Sequence, residues 1–76
     1  MTILQWILKV LQTNGGKMEG TKDLCQMVPA SPASVCRTLN IARRKHLVIS
    51  TRVQGGRGNR SIHSLTAKGM EYANHI

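Results

Sequence analysis

The chain has 76 residues, with 11 lysines and arginines against three acidic residues and a formal net charge of +8. A unit of this size buries only about 60% of the surface its unfolded chain exposes, which argues against a large enclosed pocket. The acids Glu19, Asp23 and Glu71 lie apart in sequence and form no carboxylate pair of the kind that acid/base or two-metal catalysis needs, so no enzyme activity and no cofactor are expected.

Hydrophobic residues make up 41% of the chain, enough for a core. Phenylalanine is absent and Trp6 and Tyr72 are the aromatics, so the expected core is aliphatic and methionine-rich. Ile3 to Leu11 (ILQWILKVL) is apolar at seven of nine positions. It lacks a basic n-region and a cleavage-type sequence, and it falls short of the roughly 20 apolar residues of a membrane span. The expectation is a soluble first helix over 2–13 and a cytoplasmic protein without membrane contact. On a helical wheel its apolar residues cover an arc of about 200°, wider than the stripe that one small core needs. Two assignments of that arc are open: Leu4, Trp6 and Leu8 pair with a second copy of the chain, or Trp6 and its neighbours cover the domain's own core.

Asn14-Gly15-Gly16 supplies residues that tolerate positive φ and ends this helix, and a polar loop is predicted to run to Gly20. Thr21 is the candidate N-cap of a second helix over 22–28, with Leu24, Met27 and Val28 inward and Asp23 in the favourable first turn. Free N–H groups near Thr21 and Lys22 are candidates for a phosphate contact. Pro29 stops this helix. Ser31 then caps a third helix over 32–46, with Pro32 at the first helical position where its missing donor costs nothing. Helix, short turn and helix give a helix-turn-helix by spacing and by caps. In the third helix Val35, Leu39, Ala42 and His46 share one arc. Ala33, Arg37, Asn40 and Arg44 lie opposite, flanked by Ser34 and Ile41.

A basic helix face is ordinarily just a solvated face, but the segment C-terminal to this one gives it more meaning. Leu47 to Val53 and Ser61 to Leu65 are β-prone runs separated by the glycine-rich loop QGGRGNR, which predicts a hairpin over 48–65 with Arg57, Asn59 and Arg60 near its tip. Thr66 caps a last helix over 67–75. The predicted fold is α+β: a winged helix-turn-helix of three helices, a β-hairpin wing and a short C-terminal helix, forming one domain over 1–76. In such a plan the helix enters the major groove of DNA and the wing touches backbone or minor groove. No acid lies between Asp23 and Glu71, whereas eight lysines and arginines do, so the charge forms one continuous basic region suited to a polyanion.

The residues ASVCRTLNIARRKHLV, the basic glycine-rich hairpin and LTAKG together resemble the MarR-type winged-helix pattern of bacterial transcription regulators, from about Thr21 to Gly69. The resemblance implies base or phosphate contacts from Ser34 and Arg37, a wing-tip contact from Arg60, and structural roles for Leu65, Thr66 and Gly69. The sequence departs from the pattern at His46, where glycine is usual, and at Gly58-Asn59, which replaces an acidic wing residue. The flanking helices of the family's dimerisation domain and ligand pocket have no counterpart, and no small-molecule ligand is expected.

The sequence thus points to a sequence-specific double-stranded DNA-binding regulator, a small homodimeric repressor of bacterial, phage or plasmid origin. The expected DNA-binding set is Ser31, Ser34, Arg37, Asn40, Arg44, Arg57, Asn59 and Arg60. Two other classes share these features: an architectural factor that bends DNA for recombination or replication, and a winged-helix module that docks an acidic protein. Cys25, Cys36, His46 and His63 lack the spacing of a zinc site, and the cysteines read as small, partly buried residues in a reducing compartment. QGGRGNR lacks the lysine and serine/threonine of a phosphate-binding P-loop.

Overall fold

A computed structural model describes residues 2–55 and 58–76, the side chains of residues 53–60 excepted. The elements are α1 (Ile3–Thr13), β1 (Lys17–Glu19), α2 (Thr21–Met27), α3 (Pro32–Arg44), β2 (Val48–Gly55), β3 (Gly58–Leu65) and α4 (Ala67–Asn74). The strands form one antiparallel sheet in the order β1-β3-β2.

Local chemistry sets most of the boundaries. Thr2 and Gln5 form a reciprocal capping box at the start of α1, and the Ser31 and Thr66 hydroxyls accept from the Ser34 and Gly69 amides at the starts of α3 and α4. The second helix departs from expectation. Its N-cap is Gly20, at φ 90°, with no side-chain cap, and Thr21 is its first helical residue. The Thr21 hydroxyl is engaged instead by His63, across the domain.

The ends of α1 and α3 share one geometry. Gly16 N–H donates to Leu11 C=O (2.8 Å) and Gly15 N–H to Gln12 C=O (3.2 Å), with Gly15 in the left-handed region at φ 79°. At α3, Leu47 N–H donates to Ala42 C=O (2.9 Å) and His46 N–H to Arg43 C=O (3.1 Å), with His46 at φ 60°. Both are Schellman ends, which favour glycine at the left-handed position. The third helix therefore stops at Arg44 rather than running to residue 46, and His46 lies beyond it, exposed rather than on the buried arc.

Two further corrections concern the sheet. The stretch expected to be a polar loop before Gly20 contains β1, which pairs Lys17, Met18 and Glu19 with Ser64, His63 and Ile62. The hairpin strands run past Val53 and begin before Ser61, so that Gly55 pairs with Gly58 and much of the predicted loop is paired backbone. Alternation places Val48 and Ser50, His63 and Leu65, and Met18 on the inner face, with Ile49, Thr51 and Lys17 on the outer one.

The core joins Ile7, Leu8 and Leu11 of α1, Leu24 and Val28 at α2, Val35, Leu39 and Ala42 of α3, Leu47, Val48, and Ala73 of α4. Each fully buried leucine, isoleucine or valine contributes about 1.5–3 kcal/mol of transfer free energy. The core is aliphatic but not methionine-rich: Met18 packs only at its edge and Met27 is 49% exposed, because α2 turns Met27 away while Leu24 and Val28 face inward. Leu8 is completely buried in this core and is not a surface residue, so it leaves the expected dimerisation set. Leu4 is half-buried and Trp6 is 37% exposed.

Gly69 is where α4 meets the rest of the chain. A Cβ there would lie 2.0 Å from the Leu47 carbonyl oxygen. That same oxygen accepts from Thr66 N–H (3.1 Å), and the Thr66 hydroxyl donates to the His46 carbonyl (2.6 Å). The Leu-Thr-x-x-Gly segment thus fastens the start of α4 to the chain leaving α3.

Candidate nucleic-acid interface

Helix α3 gives one stripe, Val35, Leu39 and Ala42, to the core, which turns the opposite face to solvent. Arg37, Asn40 and Arg44 are exposed on that face. Ile41, four residues after Arg37, is 41% exposed beside them. Ser31 is exposed, accepts from Ser34 N–H (3.3 Å), and donates through its hydroxyl to the half-buried Ser34 hydroxyl (2.9 Å). Arg43 Nη2 donates to the Asn40 side-chain oxygen. The Asn40 amide consequently offers N–H donors to a partner while its acceptor is held.

On α2, Lys22 is exposed and Thr21 is half-buried. Arg57 lies outside the described residues, as do the Asn59 and Arg60 side chains, whose backbone belongs to β3.

Behind the outward face of α3 is a polar assembly of which Thr21 alone belongs to the expected site. His63 is 5% exposed, the one buried polar side chain among the described residues. Its Nε2 is 2.9 Å from the Thr21 hydroxyl and its Nδ1 is 2.7 Å from the Ser50 hydroxyl. Burial, and secondarily the Arg43 guanidinium, hold the imidazole below the ordinary histidine range, so it is neutral near pH 7. A signal for it exists in β3: in Ser61-Ile62-His63-Ser64-Leu65 strict alternation puts His63 on the same face as Leu65. Arg43 escapes a helical-wheel reading because it sits on the flank of α3, toward the sheet, rather than on the face directly opposite the core.

The cysteines divide. Cys25 is half-buried, and burial together with the neighbouring Cys36 thiol pushes its thiol above the ordinary range, whereas Cys36 is exposed rather than partly buried. Among the described residues no group of histidine, cysteine and acidic side chains is arranged to hold a metal, and no described helix is long and apolar enough to cross a membrane.

A three-helix unit whose third helix exposes a basic face, followed by a hairpin and a docking helix, decides the architecture. The fold is a winged helix-turn-helix. Two solved structures share it: a transcriptional regulator homologue from Pyrococcus horikoshii (TM-score 0.75, 18% identity, covering 93% of this chain and 69% of that one) and NadR in complex with 4-hydroxyphenylacetate (TM-score 0.73, 22% identity, covering 99% of this chain and 52% of that one). Both neighbours are MarR-type transcriptional regulators, the type that the recognition helix and wing resemble. This chain therefore spans about half the length of NadR. No protein-family model and no curated protein matches the sequence.

Proposed function

We propose that the chain is a sequence-specific double-stranded DNA-binding transcription regulator. The observation that carries this reading is the outward face of α3, where Arg37, Asn40 and Arg44 stand exposed on a helix whose other side is anchored in the core. Arginine matches guanine O6 and N7 in the major groove, the donors of Asn40 suit base acceptors, and Ile41 offers the apolar contact that a thymine methyl takes. Ser31, Ser34, Lys22 and Thr21 border the helix and serve the backbone. Arg57, Asn59 and Arg60 of the wing reach backbone or minor groove.

Repression by occlusion of a promoter is the simplest use of such a module, since the bound protein is itself the obstacle. A homodimer doubles the readout, because one recognition helix contacts too few base pairs to single out an operator in a genome. The surface for pairing is the edge of α1 formed by half-buried Leu4 and exposed Trp6, with exposed Tyr72 of α4. A role in the cytoplasm, on the nucleoid, accompanies this reading, and no small-molecule effector is invoked.

Selection of bound sequences from a random duplex pool, combined with sedimentation of the complex, tests the proposal. Enrichment of a palindromic motif loaded with two copies supports it. Absence of enrichment removes sequence-specific recognition, and strong bending of a circularly permuted fragment without promoter occlusion would reassign the chain as an architectural factor.

A further inference from the structure

A cleft of about 190 Å³ separates α3 from the inner face of the sheet, and its polar lining is Thr21, Asn40, Arg43, Ser50, Ser61 and His63. These come from α2, α3, β2 and β3, so the cleft lies where the recognition helix meets the base of the wing. Asn40 and Arg43 also border an open depression beside Arg44, which makes the cleft continuous with the outward face of α3. Among the described residues that line it none is a carboxylate, and the guanidinium supplies a positive charge.

The donor arithmetic favours an anion. A neutral imidazole donates from one ring nitrogen and accepts at the other, so one of the two hydroxyls beside His63 gives it a proton and the other receives one. In either tautomer the receiving hydroxyl, Thr21 or Ser50, keeps its own proton for a third partner. Arg43 directs one N–H to Asn40 and retains the rest of its fork. Ser61, half-buried at the wall, adds another hydroxyl.

We propose that this cleft holds one phosphodiester of bound DNA, the one that passes between the groove entered by α3 and the groove touched by the wing. The inference rests on the DNA-binding reading above. Arg43 engages the non-bridging oxygens as a charge-assisted pair, and the Ser61 hydroxyl and the free one of the Thr21/Ser50 pair donate to the same group. Arg43 thereby anchors α3 to the backbone whatever the base sequence, while Arg37 and Asn40 face the bases.

Ethylation interference on a selected binding site, with wild type, Arg43→Gln and Ser61→Ala, tests the proposal. Wild type is expected to be blocked by ethylation at one phosphate per bound copy to which Arg43→Gln is indifferent. The same variant should bind about tenfold more weakly on every sequence, with a salt slope lower by roughly one. Ser61→Ala should weaken the same phosphate's effect, and both variants should keep the wild-type melting temperature because neither side chain is in the core. An interference pattern identical in wild type and Arg43→Gln, or a change in preferred bases rather than in overall affinity, overturns the phosphate assignment and leaves the DNA-binding reading standing. A rise in the melting temperature of the DNA-free protein with inorganic phosphate that Arg43→Gln lacks, with no phosphate-specific interference on DNA, would reassign the cleft to a free anion. A wild-type protein that retains no duplex DNA at low salt removes the underlying reading as well.

Discussion

Helices α1 and α3 are built by similar rules and put to opposite uses. Four side chains of α1 are buried, and two of its polar residues are tied to α4: Lys9 Nζ donates to the Ala73 carbonyl (3.2 Å) and the Gln12 amide to Asn74. Helix α3 is longer, yet buries three, Val35, Leu39 and Ala42, and leaves its arginines exposed. Under the proposed function, the difference separates stability from recognition. Substitutions on the α1/α4 side should move the unfolding transition, whereas substitutions on the outward face of α3 should move binding and leave unfolding alone.

The largest expected effect is on the packing side. Replacing a helical glycine by alanine normally stabilises a helix by about 1 kcal/mol. Gly69→Ala should do the reverse, since its methyl group would meet the Leu47 backbone carbonyl at 2.0 Å and backbone cannot step aside as a flexible side chain does. A loss of about 3 kcal/mol or more in denaturant unfolding is expected, a large share of the stability of a small domain. A melting temperature at or above that of wild type would show that α4 is docked differently.

A middle-sized effect is expected at His63, where the two sides meet. Its proton affinity is lowered in the folded state, so the unfolded chain takes up a proton first as pH falls below about 6.5. Stability from this group is complete above that pH and is lost progressively below it, down to the folded-state pKa, at no more than about 1.4 kcal/mol per pH unit. Urea midpoints measured between about pH 7.5 and 5 should fall more steeply for wild type than for His63→Gln. Parallel curves would mean that His63 titrates alike in both states.

The smallest effect sharpens the comparison between the helix ends. Gly15 and His46 occupy equivalent left-handed positions, and a side chain there costs roughly 1 kcal/mol relative to glycine. His46→Gly should therefore raise stability by about that amount without changing DNA affinity, as read by thermal unfolding and by titration with a selected site. A loss of affinity would place His46 on the DNA.

Elements that depend on neighbouring residues were legible in the sequence: the Ser31-Pro32 start, the Thr66 cap, the Gly15-Gly16 end and the periodicity of α3 all come from local chemistry. Elements that depend on distant partners were not. Three-residue β1 exists because Lys17, Met18 and Glu19 find β3 more than 40 residues later, and no pattern within Lys-Met-Glu announces that. The Gly20 cap escaped for the same reason, since Thr21 is drawn away by His63. For the candidate site, the outward residues Arg37, Asn40 and Arg44 could be read from a helical wheel. Arg43 and the Thr21-His63-Ser50 chain could not, because their proximity comes from the packing of α3 on the sheet.

Base reading by the outward face of α3 is tested most directly by measuring wild type and Arg37→Ala against a selected site and its single-base-pair variants at fixed salt. The expected result is an unchanged melting temperature and a loss of discrimination confined to one or two base pairs, worth about 1–3 kcal/mol there. Equal weakening on every site, with wild-type preferences intact, would make Arg37 a backbone contact and contradict base reading by this residue.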